Sequence, residues 1–208
     1  MRIRTLLELT RPSLTDAEAR LRQAGYGVLS TAGNFSRVWD RPDADHVLKL
    51  FSTTDQGYWT FLRFCMTARS PYLPRLRGRP IQVNHHYSAV RLERLEPLDH
   101  LSWVVEPMQA VFHNPDVPAD RRHAVIRLGA TYPKLIDTIR VIKQVCLNDQ
   151  HLHPDLFERN IMRRGDVPVI IDPISYSDAW GIKEIPPTPK RRTPPMGMSP
   201  ELQDIANA

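Results

Sequence analysis

The sequence predicts an α+β fold in two lobes, a β-rich half followed by a mainly helical half. Three observations predict it. Alternating apolar patterns cluster before residue 96, helical spacing dominates from Leu98 to Asn148, and a hairpin pattern around Gly165-Asp166 closes the second half. With 208 residues the chain is long enough for one domain, or for two lobes that share a cleft. It carries 41% hydrophobic residues and a net charge of +5, a basic excess that suits nucleic acid, an anionic cofactor or an acidic partner equally. Two cysteines are too few for a disulfide framework, no apolar run is long enough for a membrane span, and the N-terminal stretch lacks a signal-peptide pattern. A cytoplasmic location is the resulting expectation. Proline is over-used at 19 residues, six of them within 181–208, where IPPTPKRRTPPMG reads as an extended basic tail outside the folded part.

The elements follow in order. From Ser13 to Gly25, SLTDAEARLRQAG reads as a short amphipathic helix, with Ser13 or Thr15 to cap it and Gly25 to stop it. Tyr26 to Trp39 reads as two β segments around a turn at Ala32, Gly33 and Asn34. His46 to Phe51 alternates as a strand, with Val47, Lys49 and Phe51 on one face and Leu48 and Leu50 on the other. Gln56 to Ala68 is helical in character, SPYLPRLRG is a proline-broken return with His85-His86 at a later turn, and Tyr87 to Leu95 alternates as another strand. In the second half Leu98 to Phe112 and Asp120 to Asn148 are helical. Leu135, Ile139, Ile142 and Cys146 form one apolar face, and Cys65 and Cys146 read as core residues. Residues 151–177 then give a loop, a β segment at Asn160-Ile161-Met162, a Gly-Asp turn and a second β segment, VPVII, ending in Asp172.

The densest chemical signal lies in that last stretch. His153-Pro154-Asp155 is followed by Asn160, and Asp172 lies 17 residues beyond Asp155 across the hairpin. H-x-D-x-x-x-x-N, a hairpin and a further Asp is the pattern of the catalytic loop and metal-binding Asp of protein kinases. The chemistry requires these residue types. One carboxylate must take or orient the proton of an attacking hydroxyl, while an amide oxygen and a second carboxylate supply the hard ligands that Mg²⁺ prefers. Upstream, Gly33, Asn34, Phe35, Ser36 and Val38 form a phosphate-covering turn with one glycine and an aromatic tip. Lys49 follows Val38 by 11 residues, where a kinase places its phosphate-binding lysine. Glu93 and Leu95 end a strand at a hinge position, where backbone groups can meet an adenine. His151 and His153 lack the further ligands of a zinc site, and His153 is expected to brace the catalytic loop.

With these residues in view the chain resembles the protein-kinase-like superfamily, and within it the early serine/threonine protein kinases of short-tailed lytic coliphages. The likeness rests on GNFS at 33–36, VLKLF around Lys49, DQGYWTF at 55–61 and the block Asn160-Ile161-Met162, Gly165-Asp166-Val167-Pro168 and Asp172-Pro173-Ile174-Ser175. It covers roughly Ala24 to Ser177. The resemblance implies a minimal two-lobed kinase-like domain over 1–180, with an N-lobe over about 24–95, a truncated helical C-lobe over about 96–180 and a tail over 181–208. It implies ATP and Mg²⁺ as cofactors, Asp155 as catalytic base, Lys49 on the phosphates, and Asn160 and Asp172 on the metal. It further implies phosphorylation of serine and threonine on host proteins, including the transcription and RNA-processing machinery.

The departures from that family are specific. The glycine-rich turn keeps Gly33 alone, the metal motif reads Asp-Pro-Ile, and no Ala-Pro-Glu motif follows it. No Glu occurs between Lys49 and Leu92, so the usual Lys–Glu pair must be replaced, with Asp55 as the candidate, or be absent. Two alternatives stay open: a small-molecule phosphotransferase of the aminoglycoside or choline kinase type, and a catalytically weak kinase-like module that acts by binding a host protein. Direct nucleic-acid binding through Lys190, Arg191 and Arg192 is the less favoured reading of the basic tail.

Overall fold

A computed structural model describes residues 13–30, 36–114 and 116–177. Helix α1 (Leu14–Gln23) begins at Ser13, whose hydroxyl accepts the Asp16 N–H. It ends in a Schellman arrangement: the Tyr26 N–H donates to the Leu21 carbonyl, the Gly25 N–H to that of Arg22, and Gly25 takes φ +85°. Strands β1 (Gly27–Ser30), β2 (Ser36–Asp40) and β3 (His46–Ser52) form an antiparallel meander. Helix α2 (Gln56–Thr67) follows, and a proline-interrupted return leads to β4 (Ile81–Gln82) and β5 (Tyr87–Glu93). The Asn84 side chain accepts the His86 and Tyr87 N–H groups and so shapes the exposed turn expected at His85-His86. The five strands lie in the order β1-β2-β3-β5-β4.

The second half starts with a 3₁₀ turn (Asp99–Val104) and α3 (Val105–His113). The helical stretch expected over 120–148 is instead two helices, α4 (Arg122–Thr131) and α5 (Leu135–Leu147). Pro133 explains the break, because its ring disfavours helical backbone at Tyr132 and it brings no N–H; Lys134 turns the chain with φ +70°. All four residues of the predicted stripe, Leu135, Ile139, Ile142 and Cys146, are buried. The loop expected at 151–154 contains a short strand, β6 (Leu152–Pro154), which pairs with β9 (Ile174–Tyr176). Between them stands the predicted hairpin, β7 (Ile161–Arg164) and β8 (Val167–Ile170), turned at Gly165 with φ +57°. The architecture is α+β, in the two-part order expected from the sequence: a helix, an antiparallel sheet that takes in a second helix, a linker, then helices and a hairpin. The 181–208 tail lies outside the described residues. Among the described residues no helix is long and apolar enough to cross a membrane.

The two faces of β3 build two cores. Leu48 and Leu50 pack with Trp39, Ala17 and Leu21 beneath α1. On the opposite face Phe51 joins Tyr58, Phe61, Val90 and Leu92 in a cluster that runs on through Met108, Leu128 and Ile142 to Ile170 and Ile174. The second core therefore belongs to both halves. Where it reaches β9, α2 comes unusually close. A Cβ on Gly57 would stand 2.7 Å from the Ile174 carbonyl oxygen and 2.9 Å from the Ser175 carbonyl carbon. Replacing Gly57 by Ala gains about 1 kcal/mol of helix propensity but drives a methyl into backbone, which cannot yield as a flexible side chain can. We expect Gly57→Ala to destabilise the fold by about 1–3 kcal/mol net, read as a lowered midpoint in denaturant unfolding; an unchanged or raised midpoint would contradict the α2–β9 contact.

Candidate functional site

One cavity of about 550 Å³ lies between the halves, and most residues singled out from the sequence line it. Ser36 and Val38 on β2, and Lys49 on β3, come from the sheet side. Glu93 and Leu95 stand at the linker, and Asp155, Asn160 and Asp172 come from the second half. Gly33, Asn34 and Phe35 fall outside the described residues.

Alternation along β3 sends the Lys49 side chain away from the α1 core and into the cleft. Only 7% of the residue remains exposed, and a buried ammonium demands partners. It finds two. Its Nζ donates to Asp172 Oδ2 at 2.7 Å, a pair formed across 123 residues of chain, and it lies 3.6 Å from the centroid of the Tyr58 ring.

Asp55 does not replace the missing glutamate as the ion-pair partner of Lys49. It caps α2: its Oδ1 accepts the Tyr58 N–H at 2.9 Å, as N-cap carboxylates do, so its position follows from the start of the helix. Burial, reinforced by the negative charge of Asp172, pushes its carboxyl up to about 6, against the capping N–H and the pull of Lys49.

The residues of the H-x-D-x-x-x-x-N loop are fixed by backbone. The Asp155 N–H donates to the Pro173 carbonyl, and the Ile171 N–H to that of Asn160, so the loop and the Asp172 segment are stitched together at both ends. Asn160, 7% exposed, directs its Nδ2 at the Asp155 carbonyl (2.5 Å) and Oδ2 (3.1 Å), which leaves its side-chain oxygen as the group available to a cation. Arg159 donates to Asp155 Oδ1 at 3.0 Å. Burial raises the Asp155 carboxyl above the ordinary carboxylate range; the Asp172 charge adds to that, while Arg159 and the Asn160 hydrogen bond oppose it.

Asn160 and Asp172 fit a Mg²⁺ ion of the kind held jointly by protein and phosphate: two hard oxygen donors on one wall of the cleft, with room left for phosphate and water. Among the described residues no group of three His, Cys, Asp or Glu side chains could hold a metal without such help.

At the linker, the Glu93 N–H is taken by the Arg75 carbonyl and is not available to a ligand. Its side chain is spent on Arg164 and on the Arg75 N–H. His153 contacts the Ser177 hydroxyl at 2.5 Å and does not brace the loop as expected. That role falls to His113 on α3, whose Nε2 meets the Leu156 carbonyl at 3.2 Å and whose ring lies against Phe157. Tyr58, Arg159 and His113 are the site residues that the sequence reading missed. Arg159 could have been found from its place inside the D-x-x-x-x-N motif; Tyr58 and His113 carry no local signal.

No protein-family model matches the chain, and no curated protein matches it. Among solved structures it is similar to aminoglycoside phosphotransferase APH(4)-Ia, at 15% identity over 80% of this chain and 74% of that one, with a TM-score of 0.39. It is similar also to Rad53 1-466 in complex with AMP-PNP, at 12% identity over 77% and 42% of the two chains and a TM-score of 0.39. A third is the Cydia pomonella granulovirus kinase PK-1, at 13% identity, 77% and 58% coverage and a TM-score of 0.37. What the cleft can do rests on its own residues.

The Asp55 carboxyl gives a pH signature. Its folded value, about 6, lies above the unfolded value near 3.8, so the folded state holds this proton more tightly. The resulting stabilisation is complete below pH 3.8 and is lost as pH rises through about 6. Asp55→Asn keeps an oxygen for the Tyr58 N–H and removes the ionisation. We expect it to flatten the pH dependence of unfolding over that window and to stabilise the chain at pH 7.5 by at most about 3 kcal/mol. Asp55→Ala, which loses the cap, should instead cost about 1 kcal/mol below pH 4. Urea midpoints at several pH values decide the matter, and parallel profiles for Asp55→Asn and the parent chain would refute the burial of this carboxyl.

Proposed function

We propose that the chain is an ATP- and Mg²⁺-dependent phosphotransferase acting on serine and threonine hydroxyls of proteins. The observation that carries the reading is the convergence of Lys49, Asp155, Asn160 and Asp172 on one cavity of nucleotide size from positions up to 123 residues apart. Any one of these residues is ordinary; a buried lysine facing two loop carboxylates and an amide oxygen is a phosphate site's complement of charges.

In this reading the Glu93 carbonyl and the Leu95 N–H receive the adenine edge, and Val38 and Val47 cover it. Lys49 is donor and counter-charge to the phosphates. Asn160 and Asp172 would hold Mg²⁺, which supplies neutralisation of phosphate charge when bound. Asp155 orients the acceptor hydroxyl and takes its proton, with the carboxylate steadied by Asn160 and Arg159. Positioning and charge neutralisation supply the rate, so no covalent enzyme intermediate is needed.

Among the described residues, α3, α4 and α5 are committed to the shared core and no helical insert stands beside the catalytic loop to enclose a small acceptor. That favours a protein acceptor over an aminoglycoside-like one. The sequence resemblance extends the proposal to phage-encoded action on host proteins of transcription and RNA processing in the host cytoplasm.

The test is transfer from γ-labelled ATP with Mg²⁺ to casein, to bacterial lysate proteins and to a panel of aminoglycosides, beside Asp155→Asn and Asp172→Asn. We expect label in protein bands and a fall of about 10³-fold in either variant, equivalent to about 4 kcal/mol of transition-state stabilisation. Label in the small molecules alone would move the chain to the other phosphotransferase class, and ATP binding without any transfer would end the enzyme reading.

A second expectation concerns pH. Because burial already holds Asp155 above the ordinary carboxylate range and Arg159 opposes this, removing Arg159 should move the acid limb of kcat/KM to higher pH. Arg159 is largely exposed, so the displacement will be small and reduced by salt. An acid limb that stays in place, or moves down, in Arg159→Ala would remove Asp155 from the role of base.

A further inference from the structure

Lys49 is held in an unusual way for a buried ammonium. Helix α2, which stands beside it, contains no Asp or Glu from Gln56 to Thr67, and Asp55 at its cap is spent on the Tyr58 N–H. Among the described residues its one ion-pair partner is Asp172, which is also one of the two oxygen donors of the cleft that suit a cation. Serving a cation would draw on the carboxylate that Lys49 uses. The other group that Lys49 touches is the Tyr58 ring, with Nζ 3.6 Å from its centroid, well inside the range of cation–π attraction.

That ring is fixed rather than incidental. Tyr58 is 1% exposed, packs edge-on to Phe51 at 4.8 Å, and contacts Phe61. Phe51 and Lys49 lie two residues apart on the same face of β3, so the strand presents ring and cation side by side to one aromatic residue. Gly57, immediately before it, brings this turn of α2 against the β9 backbone. The Tyr58 hydroxyl is buried without a hydrogen-bond partner, so the ring, not the phenol, is what this position supplies.

We infer that Tyr58 is the positioning residue for Lys49: its ring face holds the ammonium towards the cleft, in place of a carboxylate on α2, and so leaves Lys49 a partner when Asp172 serves a cation. The inference rests on the nucleotide-binding reading of the cleft, and the experiment separates the two. The full chain is prepared as Tyr58→Phe and with the mono-, di- and trifluoro analogues of phenylalanine at the same position, which drain negative charge from the ring face while keeping its shape. Affinity for ATP with Mg²⁺ is then measured by calorimetry, with KM and kcat from the transfer assay, beside Lys49→Ala.

Tyr58→Phe is the reference of the series and should melt no lower than the parent chain, since the hydroxyl it removes has no partner. Each added fluorine should weaken ATP binding, by about tenfold in all for the trifluoro form, through KM more than kcat. A flat fluorine series together with a weakened Lys49→Ala overturns the role of Tyr58 and leaves the nucleotide reading intact. If Lys49→Ala binds ATP as the parent does, the cleft reading itself falls and the inference with it. A second measurement needs no nucleotide. The chain has five lysines, and in a ¹³C-lysine-labelled sample the Lys49 Hε signal, assigned by its loss in Lys49→Arg, should lie upfield of the other four under the ring current. A Lys49 signal among the rest would overturn the placement.

Discussion

The arrangement of the cleft depends on the grip of Arg164 on Glu93. Arg164 ends β7 in the second half, and its guanidinium meets both oxygens of the Glu93 carboxylate at the linker. The same group donates to the Pro71 carbonyl at 2.7 Å and the Leu73 carbonyl at 3.0 Å, in the return that follows α2. Burying a charge pair costs desolvation, and it is tolerated where the remaining donors are also satisfied, as they are here. A planar fork can serve one carboxylate and two carbonyls together; a lysine could not. Three residues beyond the end of β5, Glu96 exchanges both backbone hydrogen bonds with Arg163. Strand β7 is thereby sewn to the linker, and Asn160, just before β7, has its distance from the sheet set by the same stitches.

That constraint explains why Lys49 and Asp172 can meet. Asp172 follows the β7–β8 hairpin directly, so a fixed β7 fixes its segment, and the Ile170 N–H docks on the Tyr72 carbonyl of the same return. Beneath these polar contacts lies the core that both halves share, from Phe51 and Val90 to Ile142 and Ile174. An apolar floor under a cleft of charged groups has an electrostatic consequence: ionised groups lose water and interact strongly with each other. The raised carboxyls of Asp55 and Asp155 express it, each with burial as the leading cause.

Much of this was legible in the sequence, for physical reasons that differ by element. Alternation at His46–Phe51 identified the strand and put Lys49 on the face that turns out to be the cleft, because a strand's side-chain period is fixed by its backbone. The stripe Leu135, Ile139, Ile142 and Cys146 was readable for the same kind of reason. Asp155, Asn160 and Asp172 were readable because a loop and a hairpin hold them at short, regular spacing. Apolar spacing across 120–148 conceals the break at Tyr132-Pro133, which the proline alone signals. Strand β6 was missed because a three-residue strand exists only through its partner β9. Tyr58 and His113 were out of reach, since each acts across the fold on a residue far away in the chain, and an aromatic on a helix reads first as core.

The aromatic solution at Lys49 is consistent with the charge balance of the cleft. Asp55, Asp155 and Asp172 already line it, against Lys49 and Arg159. Burial and the Asp172 charge push Asp55 up to about 6. A further carboxylate on α2, set to pair with Lys49, would stand near both Asp55 and Asp172, and like charges in a poorly hydrated site raise one another's affinity for protons. One of the group would become neutral near physiological pH, and the cleft would gain a proton rather than a counter-charge. A ring face attracts the ammonium without titrating and without competing for a cation. It also packs against Phe51 in the shared core, which a carboxylate could not do. With Asp55 committed to the helix cap and Asp172 facing the cleft, an aromatic at position 58 is the residue type that satisfies the lysine, the helix and the core together.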